Sequence, residues 1–122
     1  MMAPRHKLHN IIGIIDRNNI QIDGPTEVVM PLEDLRAKWE AFGWHVIEIN
    51  GNDVEAVIDA CAMARAVVEK PVMIIAHTIP GKGVDFMEYD FRWHGMPPNH
   101  AQAKLALQEL RTLQGRIRSE HE

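Results

Sequence analysis

One cysteine, Cys61, stands among the 122 residues, so no disulfide framework can form within the chain, and the usage suits a reducing compartment. No apolar run approaches the roughly 20 residues that span a bilayer. Met1 to Lys7 hold no apolar segment long enough for a signal peptide before the polar Asn10. The chain therefore reads as soluble and cytoplasmic, with no membrane role. Positive charge is also short: 13 Lys and Arg against 17 Asp and Glu give a net charge of −4. The basic residues are scattered, which excludes the stripe that a nucleic-acid partner demands. Gly81-Lys82-Gly83 lacks the spacing of a phosphate-binding Walker loop, and its glycines are read as serving backbone geometry.

What is present is an ordinary globular composition, 46% hydrophobic and 25% charged, with room for one domain over residues 1–122. Three short apolar runs stand out: Ile11 to Ile15, Val46 to Ile49 and Val72 to Ala76. The first and third are continuous rather than alternating, as expected of strands covered on both faces. Three helical patterns follow the strands. Leu32, Leu35, Trp39 and Phe42 mark the first, with Pro31 suited to its first turn. Val54, Val57, Ile58, Cys61 and Val68 mark the second, and Asn52 with Glu55 reads as its capping box. Leu110, Leu113 and Ile117 mark the third, started by Asn99 and Gln102. Alternation of this kind predicts an α/β fold, a partial doubly wound parallel sheet of three strands and three helices. Cys61, Trp39 and Phe42, on apolar helical faces, are read as core residues. Trp44 and Trp93 flank turns.

Two segments break the scheme. Asp16 to Met30 and Thr78 to Pro98 are long connections rich in Gly, Pro, Asn and Asp, and each begins where a strand ends. Loops of that length are usually functional, and open parallel sheets bind ligands beyond the carboxyl ends of their strands. The stretch Asp16-Arg17-Asn18-Asn19-Ile20 admits two readings, a polar turn or a hard-cation site. For the second, an Asn side-chain oxygen and a backbone carbonyl two residues on can serve Mg²⁺ together with carboxylate and phosphate oxygens.

The stretch from Ile14 to Gly24 resembles the second half of the thiamine-diphosphate motif of transketolases. Further matches are Lys38 to Trp44, Gly51-Asn52-Asp53, Ala76 to Val84, and Trp93-His94-Gly95, all in family order. The resemblance runs from about His6 to Pro98 and implies a segment of the thiamine-diphosphate-binding fold. It also implies roles: Asn18 gives a side-chain oxygen and Ile20 a backbone carbonyl to Mg²⁺. Ile22 packs against the cofactor's ring system, and His94 faces the cofactor diphosphate and the substrate as the catalytic histidine. His77 stands where many relatives carry Lys, and it is either a cofactor contact or a loop-structuring residue. His45 and His100 begin a strand and a helix and read as structural or solvated; His6, His9 and His121 read as surface residues. The activity implied is transfer of a two-carbon ketol unit between ketose and aldose sugar phosphates, with thiamine diphosphate and Mg²⁺.

The family motif opens with Gly-Asp-Gly well before the metal-site Asn, and no Gly-Asp-Gly occurs in this sequence. The resemblance thus implies a complementing transketolase segment or subunit that brings this Asp. The C-terminal half, which activates the aminopyrimidine, is to be supplied likewise, in an oligomer whose pocket lies between chains or domains. A buried-type parallel strand starting at Ile11 leads to the same expectation, that something precedes it in space. The alternative is a non-catalytic assembly or interaction module derived from the same fold.

Overall fold

A computed structural model describes residues 1–112; Leu113, Ile117 and His121 lie outside the described residues. The chain divides into two compact units, one formed by Met1–Asn18 with Leu32–Thr78, the other by Asn19–Pro31 with the chain from Ile79 onward.

The first unit is the α/β body. After a short helix α1 (Met2–Arg5), strand β1 (Ile12–Arg17) enters a three-stranded sheet with β4 (His45–Asn50) and β5 (Val72–His77). The sheet order is β1-β5-β4. Both pairings are parallel, from Ile12↔Val72 to Arg17↔His77 and from His45↔Val72 to Asn50↔His77. Helix α3 (Leu35–Ala41) links β1 to β4 across the position of β5, and α4 (Val54–Ala66) returns from β4 to β5.

The two helices serve opposite faces. On one, Ala60 and Ala64 of α4 pack on Ile47, Val72 and Ile74, with Ile49, Cys61 and Val67 at the margin. Alanine at these two positions lets the helix lie close to β-branched side chains that strands favour. On the other, Leu35 and Trp39 of α3, with Ala3 and Ile15, pack against Trp44, Val46, Met73 and Ile75. The Trp39 and Trp44 rings meet edge to face, centroids 5.0 Å apart. Reversing direction through the sheet while changing face keeps both crossovers of one hand, as parallel connections require. The doubly wound parallel sheet is thus the observed architecture.

Several local expectations are corrected. The first apolar run is not covered on both faces: β1 is an edge strand with alternating exposure, and Ile12 and Ile14 are 39% and 59% exposed, because α4 lies over β4 and β5. Helix α3 begins after Pro31 and Leu32, with Asp34 as its cap accepting from the Ala37 amide at 2.9 Å. Phe42 closes that helix half exposed rather than in the core. The cap of α4 is Asp53, not Asn52; its carboxylate accepts from the amides of Glu55 and Ala56 at 2.9 and 3.3 Å. Asn52 instead donates its amide to the Asn50 side chain in an Asx turn. Asp53→Ala is expected to cost about 1 kcal/mol, the usual worth of such a cap, read as a lower urea midpoint with unchanged slope.

The second unit holds the irregular segments. Strands β2 (Ile20–Gln21) and β3 (Gly24–Pro25) pair antiparallel as a minimal hairpin, followed by the single turn α2 (Thr26–Val29). A 3-10 turn (Phe91–His94) precedes α5 (His100–Thr112). The start of α5 is a full capping box: the Gln102 amide donates to Asn99 Oδ1 at 3.0 Å and the Asn99 amide to Gln102 Oε1 at 2.9 Å. Gly81 adopts φ +76°, and a Cβ there would lie 2.6 Å from the Met87 carbonyl oxygen, so the turn into Val84 and Met87 needs glycine. Among the described residues no helix is long and apolar enough to cross a membrane.

Candidate functional site

The carboxyl ends of β1, β5 and β4 come to one edge of the first unit because the strands are parallel and in register. Two polar groupings stand there. In the first, the Asp16 carboxylate accepts from the Thr78 hydroxyl through Oδ1 and from the Asn18 amide nitrogen through Oδ2 at 3.2 Å. Asn18 is half-buried just beyond the end of β1.

In the second grouping, Arg36 Nε donates to Glu48 Oε1 at 2.7 Å, and the other Glu48 oxygen lies 2.9 Å from His77 Nε2. Arg36 also reaches Glu40 at 2.9 Å, one helical turn on. The hydrogen bond from His77, followed by that from Arg36, holds the Glu48 carboxyl below its ordinary pKa. A depressed carboxylate contributes stability that is present above its unfolded value of about 4.5 and is lost as pH falls through the lower folded value. Glu48→Gln is therefore expected to lower the unfolding midpoint at pH 7, and the deficit should shrink as the pH is taken down through the carboxylate range; melts of both proteins across that range check this.

The second unit contains Ile20, Ile22 and His94. Ile20 lies in β2 opposite Pro25. The chain enters the hairpin through Asn19 at φ +62°, a conformation asparagine tolerates better than most residues, and the Asn19 carbonyl accepts from the Thr26 amide at 2.9 Å. Ile22 sits at the tip, 66% exposed, with the turn closed by the Asp23 amide donating to Gln21 Oε1 at 3.0 Å. A β-branched apolar side chain held out at a turn tip has surface to give to a ligand or a neighbouring chain. His94 ends the 3-10 turn and is exposed. Its position is fixed from both sides. Trp93 Nε1 donates to the Phe86 carbonyl at 2.9 Å, and the Phe86 and Trp93 rings meet edge to face at 5.4 Å. Asp90 caps the turn through the Arg92 amide at 3.0 Å and grips the Arg92 guanidinium at 2.6–3.0 Å. The same hydrogen bonds hold the Asp90 carboxyl below its ordinary value. β3 packs against this turn, so the Ile22 hairpin and His94 share one unit.

The structure thus brings Asn18 and His77 to the ends of neighbouring strands, and Ile20, Ile22 and His94 into the second unit. Sequence reasoning gave no role to Asp16, Thr78, Arg36 or Glu48. Asp16 lies inside the Ile14 to Gly24 motif, and Glu48 is the one charge within Val46 to Ile49, a signal visible in the pattern. Trp93, unplaced from sequence, is the anchor of the His94 turn, and Trp44 is a core residue.

Comparison with known proteins decides the family. The sequence model described as "Transketolase, thiamine diphosphate binding domain" matches residues 1–113. The chain belongs to the transketolase family. An apulose-4-phosphate transketolase subunit of Phocaeicola vulgatus is 43% identical over 110 residues, covering 90% of this chain and 39% of that protein. The 6-deoxy-6-sulfo-D-fructose transketolase subunit SqwG of Clostridium sp. (strain MSTE9) is 40% identical over 110 residues, covering 90% and 40%. The crystal structure of transketolase from Campylobacter jejuni superposes with a TM-score of 0.81 at 36% identity, over 89% of this chain and 17% of that one. The chain spans about two fifths of the length of the first two relatives.

The donor set is of the right chemistry for the metal that the family implies. Among the described residues no group of three or more His, Cys, Asp or Glu is gathered to hold a metal ion. Asn18 offers an amide oxygen beside the Asp16 carboxylate, and such hard oxygen donors suit a hard cation whose other positions are filled by phosphate oxygens and water.

Proposed function

We propose that residues 1–122 form part of the diphosphate-binding domain of a transketolase. In this reading the chain acts in the cytoplasm, with thiamine diphosphate and Mg²⁺, in moving a two-carbon ketol unit between ketose and aldose sugar phosphates. The match of the thiamine-diphosphate-binding family over residues 1–113 carries the reading. When bound, thiamine diphosphate supplies a nucleophilic carbon that accepts and releases the ketol unit. The chain's own residues bind and orient. Asn18 gives its side-chain oxygen and Ile20 its backbone carbonyl to the metal. Ile22, exposed at its hairpin tip, covers the cofactor's ring system. His94, on a turn anchored by Trp93 and Asp90, faces the diphosphate and the substrate, where its N–H can donate to the oxygen on which charge develops. His77 gives its Nε2–H to Glu48, so it donates to the diphosphate only when both ring nitrogens carry protons, and otherwise serves to structure the loop.

The pocket is completed by a complementing segment or subunit that brings the Gly-Asp-Gly carboxylate, and by a C-terminal half, in an oligomer. Two relatives are named as subunits of transketolases, which supports the need for a second chain. The non-catalytic assembly module remains the second reading, favoured by one observation: His77 already has a structural partner in Glu48. A coupled ketol-transfer assay on the chain co-expressed with its complementing chains separates the two. The enzyme reading expects transfer that Asn18→Ala abolishes; a stable complex that forms without any transfer supports the module.

A further inference from the structure

We infer that Thr78, Asp16 and Gly51 form a positioning relay that fixes which end of the Asn18 carboxamide faces the metal. The inference rests on the proposed role of Asn18 and assigns the residues that make that role workable.

The two ends of an Asn amide are almost the same size but opposite in chemistry. The oxygen accepts and binds cations, while the NH₂ group only donates and repels them. Here the choice is made by Asp16, two residues earlier and on the same side of β1. Its Oδ2 accepts from the Asn18 NH₂ at 3.2 Å, which commits the amide oxygen to the opposite side. Asp16 is in turn held by Thr78, whose hydroxyl donates to Oδ1 and so presents Oδ2 to Asn18.

Thr78 reaches Asp16 because the ladder runs one step past the strands. Its amide donates to the Arg17 carbonyl at 3.3 Å, beyond the Arg17↔His77 pair. On the other side the Gly51 amide donates to the His77 carbonyl at 2.7 Å. A Cβ on residue 51 would lie 2.5 Å from the Thr78 methyl, 2.9 Å from Ala76 Cβ and 3.2 Å from the Ala76 carbonyl carbon. Glycine at 51 therefore leaves the space in which the Thr78 side chain turns toward Asp16. Three strand ends thus converge on the orientation of one amide, although of Thr78, Asp16, Gly51 and Asn18 only the last touches the metal in the proposed site.

The relay is tested in the full chain by NMR of the Asn18 side-chain NH₂ group, without metal or cofactor. The wild type should show two well-separated protons, the one facing Asp16 slow to exchange. Thr78→Val, which keeps shape but removes the donor, should narrow the separation and speed exchange severalfold, Thr78→Ser should restore both, and Asp16→Ala should abolish them. Unchanged Asn18 signals in Thr78→Val, with backbone signals intact, would overturn the relay; should Thr78→Val fail to fold, the Asp16→Ala spectrum decides in its place. A second arm adds Mn²⁺ with thiamine diphosphate at millimolar concentration and follows paramagnetic broadening around residue 18. Loss of an outer partner of a metal ligand typically weakens metal binding by about 10- to 100-fold, so Thr78→Val should shift the midpoint at least about 10-fold and Asn18→Ala should remove the broadening. Broadening lost in Asn18→Ala but unchanged in Thr78→Val overturns the relay and leaves the cofactor reading standing. Equal broadening in Asn18→Ala and wild type overturns the cofactor reading, with the first arm still deciding whether the relay orients the amide.

Discussion

Replacing His94 by alanine in the complemented enzyme should lower turnover by on the order of 10²–10³, the effect of removing one donor to developing negative charge, while the melting temperature stays near that of the wild type. The separation of the two effects follows from where the side chain stands. His94 is exposed at the end of the 3-10 turn, and the turn is held by its neighbours: Trp93 through the Phe86 carbonyl, and Asp90 through the backbone and side chain of Arg92. Deleting the imidazole removes none of these bonds. Trp93→Ala should do the reverse, lowering stability together with activity, because it removes both the anchoring N–H and the edge-to-face contact with Phe86. Steady-state turnover and thermal melts on the two variants check the pair. A His94→Ala protein that melts much earlier yet turns over normally would make His94 a structural residue.

Ile74→Ala should cost about 2–5 kcal/mol, the range for removing a fully buried aliphatic side chain and leaving a cavity. Ile74 is 1% exposed in the central strand, enclosed by Ile47 and Val72 of the sheet and by Ala60 and Ala64 of α4. The two alanines cannot move inward to fill the gap, since their side chains end at Cβ. Against a total stability of about 5–15 kcal/mol for a typical domain, the loss is large. Ile58→Ala on the outer side of α4 provides the contrast: Ile58 is 61% exposed, and its truncation should stay within about 0.5 kcal/mol. Chemical denaturation of both variants tests the assignment of the buried face; equal losses would contradict it.

That contrast also shows what was legible in the sequence and what was not. The strands were legible because apolar runs of Val, Ile and Met bounded by Gly, Pro and Asn leave few alternatives, and β5 is buried along five of its six residues. The existence of α4 was legible from its apolar spacing, but its buried face was not. The larger residues Val54 and Ile58 point outward, and the helix packs through Ala60 and Ala64. Hydrophobic spacing marks a helix; the closeness of approach to the sheet, a tertiary property, selects which residues are buried. The coverage of β1 was misread for a similar reason, since a continuous run does not reveal that its strand lies at the edge of the sheet.

In the candidate site, Ile22, His77 and His94 were marked only by resemblance to family motifs, whereas the spacing of Asn18 and Ile20 already left a polar turn and a hard-cation site open. The long connections were recognised as unusual, although the hairpin and the 3-10 turn inside them were not, because elements of two to four residues carry too little pattern. Asp16, Thr78 and Glu48 stayed unassigned because their partners are distant in sequence: Thr78 meets Asp16 across 62 residues and His77 meets Glu48 across 29. Pairings of that range follow from the register of the sheet, which composition and spacing do not specify.

Isothermal titration of thiamine diphosphate in the presence of Mg²⁺, on the chain alone and on its assembly with the complementing chains, decides whether the site is shared. The chain alone should give no saturable isotherm at micromolar concentration, since Asn18 and Ile20 bring no formal charge to the metal. The assembly should give a saturable isotherm, lost on Asn18→Ala, with the bound cofactor stabilising the folded assembly by mass action. A micromolar isotherm from the chain alone, or an assembly whose binding survives Asn18→Ala, would contradict the shared site.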